Sequence, residues 1–62
     1  MKVREVLKIL DADGWKCVHI RGSHRIMQHQ SKSGIIVVPG NLGDEIPKGT
    51  LHAIFKQAQL ED

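Results

Sequence analysis

The chain has 62 residues, nine Lys plus Arg against seven Asp plus Glu, and a formal net charge of +2. A chain this short buries only about 60% of the surface its unfolded form exposes. One domain spanning residues 1–62 is therefore expected, with little room to enclose a small metabolite and a surface suited to a larger partner. The lone Cys17 excludes an internal disulfide and a Cys-rich zinc site, and it reads as a small buried apolar side chain. The N-terminus alternates charged and apolar residues, without the apolar core of a signal peptide. No apolar run approaches the ~20 residues that span a bilayer. A soluble, cytoplasmic protein with no membrane role is expected.

The first element is a helix. Val3, Val6, Leu7 and Leu10 follow the i, i+3, i+4, i+7 spacing of one face, and Lys2, Arg4, Glu5 and Lys8 take the rest. It should end near Asp11 to Asp13, with Gly14 as its left-handed stop. Residues 15–20 carry Trp, Cys, Val and Ile and favour a strand. Arg21, Gly22 and Ser23 form a turn, and a second strand runs over about residues 24–30. Residues 31–34 make another polar turn. Ile35 to Val38 are four consecutive β-branched residues, predicted to be the most buried strand, and Pro39 stops it. Both turns are too short for crossovers, so the three strands form an antiparallel meander.

Residues 40–45 form a loop whose acids, Asp44 and Glu45, read as partners for the positive end of a helix. In the last helix Pro47 occupies or adjoins the first turn, and Leu51, Ile54, Phe55 and Ala58 repeat the helical spacing. The expected class is α+β, in the order α-β-β-β-α: a three-stranded antiparallel sheet with both helices on one face and the other face free.

Charge is unevenly distributed. Between Trp15 and Lys32 lie Lys16, Arg21, Arg25, Lys32 and three histidines, with no acid, whereas Glu61 and Asp62 join Asp11, Asp13, Asp44 and Glu45 among the acids. Such a cationic centre suits a polyanion. Within it stands Arg21-Gly22-Ser23-His24-Arg25. Arginine forks bind phosphate oxygens; Gly22 lets a phosphate approach the main chain; Ser23 can bond a phosphate oxygen or its own backbone. His24 is of a type that takes or gives a proton near neutrality. Taken alone, the run also fits an ordinary basic hairpin. Strand alternation puts Arg25, Met27 and His29 on one face and His24, Ile26 and Gln28 on the other. If Met27 faces the helices, His24 lies on the open face; if Ile26 does, the order reverses. Lys16 and Lys48 are further candidate phosphate contacts. His19 and His29 are candidates to flank His24, against a plain role as solvated strand residues.

Gly14-Trp15, Val18 to Arg25 with its central Gly-Ser-His, Val38-Pro39, and Lys48-Gly49-Thr50-Leu51 followed by Ile54, Lys56 and Gln57 together closely resemble the HicA toxins of toxin–antitoxin modules. The resemblance covers nearly the whole chain. It implies a double-stranded-RNA-binding-domain-like fold, an endoribonuclease acting on mRNA, and neutralisation by a HicB antitoxin. It places the catalytic histidine at His24 and the adjoining turn at Gly22 and Ser23. With His24 as base for attack by a ribose 2′-hydroxyl, no metal or other cofactor is expected. Together with the basic side chains named above, this makes the expected RNA contacts Lys16, Arg21, Gly22, Ser23, Arg25 and Lys48. Many members have a histidine after Val-Pro, where this chain has Gly40. The alternative is a non-catalytic double-stranded-RNA-binding or protein-interaction module.

Overall fold

A computed structural model of the chain describes residues 1–60; Glu61 and Asp62, the last acids in the sequence, lie outside the described residues. The order is α1 (Val3–Asp13), β1 (Trp15–Arg21), β2 (His24–His29), β3 (Ile36–Val38) and α2 (Lys48–Gln57). The strands form one antiparallel sheet in the order β1-β2-β3, with α1 against β1 and α2 against β3 on the same side. This is the expected α-β-β-β-α arrangement, a double-stranded-RNA-binding-domain-like α+β fold with one sheet face left open.

The core lies between sheet and helices. Val3, Val6 and Leu10 of α1 meet Trp15, Met27, Ile36 and Val38 of the sheet and Ile46, Ile54 and Ala58 of the C-terminal half, with Leu7, Leu51 and Phe55 packed around them. Each fully buried large apolar side chain contributes about 1.5–3 kcal/mol. The four-residue apolar run at 35–38 is only half buried: Ile36 and Val38 are inside, whereas Ile35 and Val37 are exposed. The reason is position. β3 is an edge strand whose second face has no layer above it, so it alternates rather than vanishing into the core. Cys17 also departs from expectation and is exposed, because β1 is the opposite edge strand.

α1 ends at Gly14, whose φ of 105° and amide bond to the Asp11 carbonyl make the left-handed stop. α2 begins after Pro47. The 40–46 loop serves α1 rather than α2: Val3 N–H donates to Asp44 O, Arg4 N–H to Leu42 O, and Glu45 pairs with the Met1 amine at 3.0 Å.

At the opposite end, Lys32 Nζ donates to Asp13 Oδ2 at 2.6 Å and to Ala58 O at 2.9 Å, tying α1, the 31–34 turn and α2 together. The hydrogen bond from Lys32 holds the Asp13 carboxyl below its ordinary value of 3.8, against the opposing effect of desolvation.

One irregularity sets the faces of the sheet. Pairing runs Arg21↔His24, Ile20↔Arg25 and His19↔Ile26, then resumes at Cys17↔Met27, Lys16↔Gln28 and Trp15↔His29. Val18 is the unpaired extra residue, a β-bulge. Strict alternation puts Trp15, Cys17, His19 and Arg21 on one face. The bulge exchanges the two halves of β1, so Trp15 enters the core while His19 and Arg21 stay on the open face.

Candidate active site

The turn between β1 and β2 is a two-residue loop, Gly22-Ser23, closed by the Arg21↔His24 pair. Gly22 has φ 60° and Ser23 does not share the positive sign, the pattern of a type II′ hairpin turn with glycine at its first central position. Nothing approaches within 4 Å of the place a Gly22 Cβ would take, so the turn backbone is open to a large ligand.

Met27 is buried, which resolves the two parity readings: it faces the helices, and His24 lies with Ile26 and Gln28 on the open face. Their partners across the β1–β2 pair are Arg21, His19 and Lys16, in that order. Val37 of β3 pairs with Ile26 on the same face. The face therefore carries a cationic file along β1, an imidazole at the head of β2, and apolar side chains between. His24, Arg21, His19 and Lys16 are all exposed.

The structure brings some of the expected RNA contacts together and separates others. Gly22, Ser23, Arg21 and His24 form one cluster at the hairpin tip. Arg25 belongs to the other face, paired with Val38, and its guanidinium donates to Gly40 O at 3.1 Å. It ties the loop after β3 to the sheet rather than standing beside His24. Lys16 is four β2 positions along the same face, about 13 Å from His24 at the rise of a strand. There it borders a groove shared with Val18 and Gln28 and pairs with Asp11 at 2.7 Å. That ion pair is largely exposed on both sides, so its ammonium is readily lent to another anion. Lys48 is exposed at the start of α2, in the helix layer.

The histidines also part company. His29 is at the far end of β2 and acts as a structural joint. Its Nδ1 accepts N–H bonds from Ser31 and Lys32, so Nε2 carries the proton and meets Asp13 O at 2.7 Å. Its ring packs edge-on against Trp15 with centroids 5.3 Å apart. His52 is exposed on α2. His19 stays on the face of His24 because of the bulge, which composition alone does not reveal. A signal was present, however: alternation across 15–21 puts a tryptophan and an arginine on the same face, and only an inserted residue separates them.

Among the described residues no group of three or more His, Cys, Asp or Glu side chains gathers as metal ligands do, and no helix is long and apolar enough to cross a membrane. The arrangement offers proton transfer by imidazole and anion binding by guanidinium on an open, flat face. Comparison with curated proteins found no match. A family model described as the HicA toxin of bacterial toxin–antitoxin matches residues 3–60. The hairpin bearing His24 thus lies within a match that covers nearly the whole chain, and the protein belongs to the HicA toxin family.

Proposed function

We propose that this toxin is an endoribonuclease that cuts mRNA in the cytoplasm and is neutralised by a HicB-like antitoxin covering the open sheet face. The observation that carries the reading is the pairing of His24 with Arg21 at the tip of an exposed hairpin, on a face with no competing carboxylate in β1 or β2. His24 acts as general base on a ribose 2′-hydroxyl. Arg21, its cross-strand neighbour, neutralises charge developing on the phosphoryl oxygens. Gly22 and Ser23 give the phosphate access to the turn, and Lys16 holds the strand farther along the face. The products are a 2′,3′-cyclic phosphate and a 5′-hydroxyl, and no metal takes part. Exposed Ile35 and Val37, across β2 from this cationic file, suit an antitoxin surface that is apolar and acidic.

The test is paired expression of the wild type and His24→Ala, with transcript ends mapped and their chemistry determined. Wild type should arrest growth and leave cyclic-phosphate ends, with cutting unaffected by EDTA in vitro. His24→Ala should do neither while retaining the wild-type fold. Undiminished cutting by His24→Ala, or cutting stopped by EDTA, refutes the mechanism.

A further inference from the structure

In-line displacement by a 2′-hydroxyl needs two proton transfers on opposite sides of phosphorus, and one imidazole performs only one at a time. We infer that His19 is the second catalytic residue, the general acid that protonates the leaving oxygen. This rests on the endoribonuclease reading above.

The argument begins with the bulge. Val18 is the extra residue between the Cys17↔Met27 and His19↔Ile26 pairs, and it is 53% exposed. Bulges re-aim side chains. This one lets Trp15 enter the core while leaving His19 on the face of His24. His19 pairs with Ile26, two positions beyond His24 on β2, so the two histidines are diagonal neighbours. Such neighbours lie about 7–8 Å apart, within reach of long side chains. That separation accommodates a phosphate between two imidazoles, each hydrogen-bonded at about 3 Å to one of the oxygens on opposite sides of phosphorus.

Elimination leads to the same residue. The chain has four histidines. His29 is fixed by Asp13, Ser31 and Lys32 at the other end of the hairpin, and His52 lies on α2 in the helix layer. Cys17 is on the face of Met27. The charged or titratable groups sharing the face of His19 are Arg21 and Lys16 from β1 and His24 from β2; β3 contributes only the apolar Val37.

The reaction balances with these two residues. His24 takes the 2′-hydroxyl proton as O2′ forms its bond to phosphorus. The P–O5′ bond breaks with its electron pair on O5′, and His19 imidazolium gives that oxygen a proton. The products are the 2′,3′-cyclic phosphate and the 5′-hydroxyl, with His24 protonated and His19 neutral. Exchange with solvent restores both.

The experiment measures single-turnover cleavage from pH 5 to 9 on two oligoribonucleotides of one sequence. One is natural, and the other carries a bridging 5′-sulfur at the scissile bond, whose thiolate leaves without protonation. On natural RNA, His19→Gln should cut about 10²–10⁴-fold more slowly and lose the alkaline limb of a bell-shaped profile. On the 5′-thio substrate it should match wild type, whereas His24→Gln should stay impaired on both. A His19→Gln profile with both limbs intact, loss of the acid limb instead, or no rescue by sulfur overturns the assignment and leaves the endoribonuclease reading standing. A wild type that cuts neither substrate overturns both.

Discussion

Gly14→Ala tests how the C-terminal stop of α1 is locked to the sheet. A Cβ at this position would lie 2.7 Å from His29 Nε2 and 3.3 Å from two ring carbons, on a backbone with φ 105°. Backbone strain alone costs about 1–3 kcal/mol. Relieving the clash moves the ring, which loosens the 2.7 Å contact with Asp13 O, worth about 0.5–1.5 kcal/mol net. It also weakens the edge-on contact with Trp15, worth about 0.5–1.5 kcal/mol. Together these give about 2–6 kcal/mol, a large share of the roughly 3–9 kcal/mol expected for a chain this size. Urea unfolding followed by the fluorescence of Trp15, the single tryptophan, measures the loss. A double-mutant cycle isolates its cause: in a His29→Ala background the cost of Gly14→Ala should fall by about 1–3 kcal/mol, leaving the strain. Equal costs in the two backgrounds would refute the reasoning.

Three other outcomes follow from the same contacts. Deleting Val18 should abolish cooperative unfolding, because regular pairing moves Trp15 out of the core, whereas Val18→Ala should cost under about 1 kcal/mol; calorimetry separates them. Arg25→Met should lower stability by about 1.5–3 kcal/mol through loss of the charged bond to Gly40 O and leave RNA cutting nearly intact, while Arg21→Met should do the reverse. Because folding lowers the Asp13 carboxyl below 3.8, the stability from its ionised form is present above that value. It is lost as pH falls through the lower folded value. Acid titration of stability should therefore flatten below about pH 4 in Asp13→Asn; an unchanged slope there would contradict the Lys32 tie.

Helical spacing located α1 and α2 correctly because each packs a single stripe, and Gly14, Pro39 and Pro47 marked real boundaries. Alternation left two readings for β2, with Met27 or Ile26 facing the helices, and the burial of Met27 decided for the one that puts His24 on the open face. The remainder depended on contacts between distant segments. Ile35 and Val37 look buried by composition, yet exposure depends on whether a layer covers the second face of an edge strand. Arg25 sits in a basic run like its neighbour Arg21; strand parity, once Met27 is known to be buried, puts it on the other face, and only the path of the loop through Gly40 shows what it binds there. His29 reads as a solvated strand residue until Asp13 and the 31–34 turn are seen to close around it.

The two-residue turn has a consequence for how this toxin tolerates change. The residues proposed to do the chemistry fall within six consecutive positions, 19–24, and one short hairpin sets their relative geometry. Core substitutions behind the sheet should therefore change how many molecules are folded, with little effect on the activity of each folded one. A hairpin substitution at Gly22 should do the opposite. Measured per folded molecule, cutting should stay nearly level across a series of core variants, while growth arrest declines with their abundance.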